Sequence, residues 1–238
     1  AIHLAMVMEG NFEGMLGGHN FRFSAGDCYL TGYWEAHGGL CSLSGYRILL
    51  LTVEPEELER GLFTARDRFI TLLTLPAPQR QKLLAAADIA ECIRQALPEL
   101  LSSEEMTLFA QMEKRWLRIN AIFLHLLENL QLPPDAAQTR TTFQRLLPAM
   151  QRLARNDGAR ITAAEAAASC NLSISRFSHL WRDHFGNGFG AFELQYRFTQ
   201  AVNELLRDDG TVKEVSAHWG FCDENHFARL FKSIYRSA

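Results

Sequence analysis

Two clusters of hydrogen-bonding side chains near the C-terminus have the residue types that contact nucleic acid. Each cluster lies on a segment with helically spaced apolar residues, F-x-x-L-W at 177–181 and F-x-x-L-F at 227–231. The first cluster is Ser175, Arg176, Ser178, His179 and Arg182, and the second is Asn225, His226, Arg229 and Lys232. Such side chains can address base edges and phosphates in a DNA major groove.

The segments around these clusters are two copies of one unit. Thr162 and Glu165 match Thr211 and Glu214 at a shift of 49 residues. Each pair has the T-x-x-E pattern of a capping box, which satisfies free backbone N–H groups at a helix start. Beyond the turn the shift becomes 50 residues, so one extra residue is expected in the second turn, around 220–221.

Each unit therefore predicts a capped short helix, a tight turn and a second helix. In the second turn, Gly220 permits a backbone conformation that side chains resist, and Phe221 is expected to fill the angle between the helices. Helical hairpins also occur in folds that never touch DNA. The tandem arrangement, with a further helix at about 190–206, favours DNA. Because residues 159–238 carry nine Lys and Arg against nine Asp and Glu, non-specific affinity should be modest.

Three segments of this region resemble the DNA-binding domain of the AraC/XylS family of bacterial transcription regulators. They are "LSISRFSHLWRDHFG" at 172–186, "YRFTQAVNELL" at 196–206 and "GFCDENHFARLFK" at 220–232. The resemblance implies two recognition helices in successive major-groove segments. Because the proposed base-facing residues differ between the two helices, one chain is expected to read an asymmetric site. It implies base-edge contacts from Ser175, Ser178, His179, Asn225 and Arg229. Arg182, Arg197 and Lys232 would be phosphate-side or structural.

Residues 1–54 alternate in polarity between glycine-rich breaks, which predicts a small antiparallel sheet or barrel. The segment 7–38 resembles the cupin-type effector domain found in many members of that family. The resemblance implies a small-molecule pocket, with Trp34, His37 and Tyr46 as candidate contacts. For Trp34 and Tyr46, core packing is at least as well supported as contact with a ligand.

A metal-binding cupin enzyme with a helical appendage is the alternative function. His37 occupies the position of a late cupin metal ligand, but neither His3 nor His19 supplies the H-x-H strand. That strand would precede residue 1, and the sequence, which begins as if in mid-strand, is expected to continue from an N-terminal piece. A second spacing, His218, Cys222 and His226, is interpreted as unrelated turn and surface residues. No metal and no cofactor are therefore expected.

Residues 55–158 are predicted to be a helical linker and dimerisation region. One stripe of apolar residues recurs at steps of three and four along a single helix. Its members are Leu108, Met112, Trp116, Ile119, Phe123, Leu126 and Leu130. Intradomain core and a homodimer seam are both open interpretations of this stripe. A further helix is predicted near 136–155, and the break at 155–160 marks the boundary of a C-terminal domain at 159–238.

The whole chain reads as an α+β protein, a partial cupin-like barrel followed by helices and a double helix–turn–helix domain. Its 238 residues carry a formal net charge of −3 and five scattered cysteines, which favours reduced thiols in a cytoplasm. No apolar run approaches the roughly 18 residues of a membrane helix. The function predicted is a transcription regulator, not an enzyme, with DNA, a small effector and RNA polymerase as partners.

Overall fold

The computed structural model describes residues 1–33, 35, 37–40, 45–62, 65–101, 108–156, 158–207 and 210–235. The strands are β1 (Ile2–Leu16), β2 (His19–Ser24), β3 (Cys28–Leu30), β4 (His37–Leu40) and β5 (Tyr46–Val53). The first helices are α1 (Pro55–Gly61), α2 (Arg66–Thr74), α3 (Ala77–Ala86), α4 (Ile89–Leu100) and α5 (Leu108–Asn129). They are followed by α6 (Ala136–Arg155), α7 (Ala163–Ser169), α8 (Ile174–Phe185), α9 (Phe189–Arg207), α10 (Val212–His218) and α11 (Glu224–Tyr235).

The long strand β1 organises a single antiparallel sheet. It lies between β2 and β3, and both β4 and β5 also pair with it. The β1–β5 ladder runs from Ile2 opposite Val53 to Gly10 opposite Tyr46, with an irregularity between Val7 and Glu9. Gly10 has φ +74°, and a methyl group built on it would lie 2.5 Å from the carbonyl oxygen of Gly45. The antiparallel sheet predicted for the N-terminal residues is confirmed.

Residue contacts divide the chain into two compact units. The first unit consists of residues 1–13, 21–35 and 44–137, and many of its buried apolar residues form a hydrophobic core. Alternate residues of β1, such as Leu4 and Met6, contribute to this core together with residues of α2 and α5. Phe69 of α2 and Phe123 of α5 meet edge to face, with ring centroids 5.7 Å apart.

Helix α5 has an apolar face that is covered and a second one that is not. Phe123 and Leu126 are both fully buried in the core of the first unit. Leu117 is 67% exposed and Leu124 is 41% exposed on the same helix. The C-terminal half of the predicted stripe is therefore intradomain core, whereas the exposed apolar residues lie outside that stripe, apart from Met112.

The second unit consists of residues 14–20, 36–43 and 138–238. Helix α6 has the bounds that periodicity predicted, and it packs with the C-terminal helices. Phe143 of α6 contacts His184 of α8 with ring centroids 5.5 Å apart, and Arg152 reaches Glu165 of α7 at 3.4 Å. Contacts thus place α6 with the C-terminal helices, whereas the sequence pattern assigned it to the linker region 55–158.

Candidate nucleic-acid interface

The first helix–turn–helix is held at three points of its backbone. Thr162 and Glu165 form the predicted capping box at the start of α7. The turn contains Asn171 at φ 53°, a left-handed conformation that asparagine tolerates better than most residues. The Ser173 side chain then accepts a hydrogen bond from the backbone N–H of Arg176 and begins α8. These local signals fix the turn and the start of α8.

The second helix–turn–helix repeats this construction. Thr211 and Glu214 form its capping box, and Gly220 takes the left-handed position at φ 66°. Asp223 Oδ1 accepts from the backbone N–H of His226 at 2.6 Å, in the place that Ser173 has in the first unit.

Equivalent hydrogen bonds locate the extra residue of the second turn. The N–H of Leu172 donates to the Ala167 carbonyl, and the N–H of Phe221 donates to that of Ser216, still at a shift of 49. The helix caps that follow, Ser173 and Asp223, differ by 50. The insertion is therefore Cys222, one position beyond the region predicted from sequence.

The carboxylates of the two capping boxes respond to pH in the same direction. The backbone N–H of Thr162, followed by its hydroxyl, lowers the pKa of Glu165. The same groups of Thr211 lower the pKa of Glu214. A carboxyl whose pKa is lower in the folded state stabilises the fold above its unfolded pKa. This contribution is lost as the pH falls through the folded pKa. The capping boxes of α7 and α10 therefore both stabilise the fold less in acid.

Helix α8 buries one face and exposes the opposite one. Phe177 and Trp181 are fully buried, and Trp181 packs against Phe185 at 4.4 Å and Phe192 at 5.1 Å between ring centroids. The predicted contact residues Ser175, Arg176, His179 and Arg182 are exposed, and Ser178 is half-buried. His179 Nε2 lies 3.2 Å from Asp183 Oδ2 on the same surface. Sequence reasoning omitted Ile174, which is 54% exposed in the first turn of α8.

Helix α11 has the same division between faces. Asn225, Arg229 and Lys232 are exposed, while Phe227 is buried against Phe221 at 5.2 Å between ring centroids. Phe221 is buried between the helices of this unit, as predicted. His226 is half-buried and its ring also meets Phe221, at 5.8 Å between centroids. His226 is therefore at the edge of the exposed face.

Arg197 has its guanidinium inside the domain. Its Nε donates to Glu193 Oε1 at 2.6 Å, and its Nη1 donates to the carbonyl of Trp219 at 2.5 Å. The guanidinium carbon also lies 5.2 Å from the centre of the Phe221 ring. The side chains of Arg197 and Glu193 are only 7% and 3% exposed. Of the two roles considered for Arg197, these contacts favour the structural one over phosphate binding.

Glu193 and Glu204 of α9 are two further residues that sequence reasoning missed. Glu193 Oε1 also accepts from the backbone N–H of Ile161, which precedes the first helix–turn–helix, at 3.2 Å. Glu204 Oε2 accepts from the indole N–H of Trp219 at 2.6 Å. Both carboxylates therefore tie α9 to backbone or side chains that flank the two units. Only the four-residue spacing of Glu193 and Arg197 signals one of these interactions in the sequence.

Two of the three candidate effector residues, His37 and Tyr46, lie in the described part of the chain. Trp34 lies outside the described residues. His37 is exposed, and Tyr46 is half-buried with its ring 4.9 Å from that of Phe12. Tyr46 therefore takes part in aromatic packing in the first unit.

A cavity of about 450 Å³ opens in the first unit next to the β2–β3 turn and the start of α4. Its lining comprises Arg22, Phe23, Gly26, Asp27, Cys28, Gln81, Leu84, Ala85, Asp88, Ile89, Ala90 and Arg94. Burial, and then the charge of Asp27, raises the pKa of the Cys28 thiol to about 12, which keeps it protonated at neutral pH.

No group of three or more His, Cys, Asp or Glu residues in the described ranges is arranged to hold a metal ion. Among the helices of the described part of the chain, none is long and apolar enough to cross a membrane.

Comparison with known proteins gives a domain match for the C-terminal helices. A family model described as a helix-turn-helix domain matches residues 166–238. No curated protein matches the chain significantly. Among solved structures, an apo variant of ToxT from Vibrio cholerae has TM-score 0.59 and 10% identity, over 98% of this chain and 84% of that one. ToxT with bound unsaturated fatty acid, also from Vibrio cholerae, has TM-score 0.54 and 11% identity, over 99% and 83%. At these identities the likeness shows a shared fold.

Proposed function

We propose that this chain, which ends in an AraC-type helix–turn–helix domain and has the two-part fold of ToxT, is a DNA-binding transcription regulator. The observation that carries the proposal is the pair of exposed hydrogen-bonding faces on α8 and α11. Each face lies opposite a buried aromatic face within one compact unit. Two helices presented in this way can enter successive segments of one major groove.

The residues are assigned to DNA groups by type and exposure. Ser175, Ser178, His179, Asn225 and Arg229 are proposed to contact base edges, and Arg182 and Lys232 are proposed to contact phosphates. Arg176 and the half-buried His226 flank these contacts. Because the residues differ between α8 and α11, one chain should read an asymmetric site. With nine basic and nine acidic residues in 159–238, specificity should depend on base contacts more than on bulk charge.

We also propose that a small molecule modulates this regulator. The relatives of known structure include ToxT bound to unsaturated fatty acid and to a naphthalenyl butenoic acid. Trp34, His37 and Tyr46 stay the proposed contacts from sequence. The cavity of about 450 Å³ in the first unit has the size of a ligand pocket and is a second proposed location. We further propose that the regulator contacts RNA polymerase and that it acts in the cytoplasm.

Selection of bound sequences from a random DNA pool with the full chain tests the function. The expected result is an asymmetric motif with two parts about one helical turn apart. Binding without sequence preference would overturn the proposal. A metal-binding enzyme would instead hold about one transition metal per chain, lost on His37→Ala.

Arg229→Ala tests the assignment of a base contact on α11. Arginine can donate two hydrogen bonds to guanine, so the variant should lose about 1–3 kcal/mol of binding free energy and relax preference at one or two base pairs. Binding to a panel of single-base variants measures this preference. Lys232→Ala is the matched control, since loss of a phosphate contact should weaken binding to all sequences alike. A uniform loss for Arg229→Ala would show that Arg229 contacts phosphate.

A homodimer is proposed through the exposed apolar residues of α5. Leu117 and Leu124 lie on one side of this helix, with the small Ala121 between them, so two copies could pack about a twofold axis there. The double variant Leu117→Glu/Leu124→Glu should give a folded monomer in sedimentation and circular dichroism. Phe123→Asp should unfold the chain, because Phe123 is fully buried. A double variant that stays dimeric would place the dimer contact elsewhere.

A further inference from the structure

The tip of the β1–β2 hairpin belongs to the same compact unit as the DNA-binding helices. Residues 14–20 group by contacts with 138–238. The turn is made by Gly17 and Gly18, at φ +56° and +81°, conformations that glycine adopts without strain. Met15, on the strand before the turn, accepts a hydrogen bond at its sulfur from Gln195 of α9 at 3.4 Å. The tip therefore has a fixed place in the second unit.

The hairpin tip contacts the C-terminal end of α8, the first of the two helices proposed to read DNA, called here the first reading helix. Gly186 is the C-cap of α8 at φ 73°, and its N–H donates to the Arg182 carbonyl at 2.9 Å. A methyl group built on Gly186 would come within 2.3 Å of His19 Nε2, so the imidazole lies directly against the Gly186 backbone. A methyl group on Gly18 would come within 2.8 Å of Asn187 Nδ2 and 3.2 Å of the Phe185 carbonyl oxygen. Bulk at either glycine would push the tip and the helix apart.

Residues at the end of α8 connect the hairpin contact to the exposed face of α8 that is proposed to bind DNA. Phe185 packs on Trp181, which is fully buried under the exposed residues of α8. Arg182, a proposed phosphate contact, is the residue whose carbonyl closes the last turn at Gly186. Asn187 Oδ1 is buried without a hydrogen-bond partner among the described atoms. The joint between α8 and α9 is therefore held on this side by packing against the hairpin.

We infer that the hairpin tip positions the first reading helix on DNA, with His19 as the positioning residue. The inference rests on the proposed function. His19 acts through Gly186 and α8, and it makes no contact with DNA itself. When the His19 side chain is truncated, the C-terminal turn of α8 loses the imidazole that packs against Gly186. The base-contacting residues of α8 are then no longer held in position on the DNA. The contacts of α11 depend on other residues and should be unaffected.

The test uses the full chain and three DNA duplexes: the selected site, the site with its α8 half scrambled, and the site with its α11 half scrambled. For His19→Ala, discrimination against the first scrambled duplex should fall about fivefold or more, the equivalent of one base contact. Discrimination against the second should be unchanged. Asn187→Ala, at the other side of the contact, should behave in the same way. Asn11→Ala is the matched control on the same hairpin, since Asn11 is exposed on β1 and does not line the cavity proposed for a ligand.

The outcomes separate this inference from the proposed function. A wild-type chain that discriminates against neither scrambled duplex would overturn the function itself. A wild-type chain that discriminates, with His19→Ala and Asn187→Ala equally selective, would overturn only the positioning role. An equal loss against both duplexes would mean that the variants merely lower the folded fraction, and it would also overturn the role. Loss confined to the α8 half supports it.

Discussion

Glu193→Ala is expected to destabilise the DNA-binding unit by about 3–5 kcal/mol, a large share of the roughly 5–15 kcal/mol that holds a domain folded. The substitution removes the carboxylate that pairs with Arg197, and both side chains are almost completely buried. The Arg197 guanidinium would then stay buried without a counter-charge. The backbone N–H of Ile161 would lose its acceptor as well.

Urea unfolding of the full chain, followed by circular dichroism, measures this loss. The free energy of unfolding of Glu193→Gln should lie between that of the wild type and that of Glu193→Ala, because the amide keeps one acceptor oxygen but not the charge. Arg152→Ala is the matched control, since the Arg152–Glu165 pair is about half exposed and spans 3.4 Å. It should cost at most about 1 kcal/mol. If Glu193→Ala costs no more than Arg152→Ala, the buried pair does not stabilise the unit.

The repeated helix–turn–helix could be predicted because its signals are local. Thr162 and Glu165 are three residues apart, as are Thr211 and Glu214, and each capping box formed as expected. Asn171 was not recognised as the counterpart of Gly220. Asparagine and glycine are the two residues that most readily adopt a left-handed turn, so their common shift of 49 could have revealed it.

The buried position of Arg197 could not be predicted from local sequence rules. Arginine on a helix is usually solvated, and a Glu four residues earlier usually forms a surface pair. What buries Arg197 is the approach of the Trp219 carbonyl and the Phe221 ring, which lie more than twenty residues away. Such contacts depend on tertiary packing and leave no periodic pattern in the sequence.

Helix α5 shows a related limit of sequence periodicity. Its apolar spacing predicts a helix and one buried face, and both are present. The same helix also has Leu117 and Leu124, and hydrophobicity does not say which face the domain core covers. The cavity of the first unit has no sequence signal at all, since it is lined from 22–28 and 81–94, two segments without a shared motif.

Inserting about five base pairs between the two halves of the DNA site is expected to reduce binding to that of one reading helix plus non-specific contacts. Five base pairs rotate the second target by half a turn, to the far side of the duplex. The two reading helices cannot follow this rotation if the joint between them is rigid. A specific site commonly binds 10³–10⁷-fold more tightly than non-specific DNA, so losing one half should cost orders of magnitude.

The rigidity of the joint follows from α9. This helix runs unbroken from Phe189 to Arg207, about 28 Å, and contacts both helix–turn–helix pairs. Phe192 packs on Trp181 of the first helix–turn–helix at 5.1 Å, and Phe198 packs on Phe227 of the second helix–turn–helix at 5.3 Å between ring centroids. The buried pair of Glu193 and Arg197 lies between these two contacts. Neither helix–turn–helix can rotate relative to α9 without breaking buried interactions.

An insertion of about ten base pairs distinguishes a rigid joint from a flexible one. It restores the rotational phase but moves the second target about one helical turn further along the axis, beyond the reach of a rigid joint. Binding should therefore stay weak for both insertions and be strong only at the selected spacing. Recovery at ten base pairs but not at five would indicate a joint that stretches along the groove. Undiminished binding to the site with five inserted base pairs would mean that the two helix–turn–helix pairs are flexibly tethered or that only one of them reads DNA.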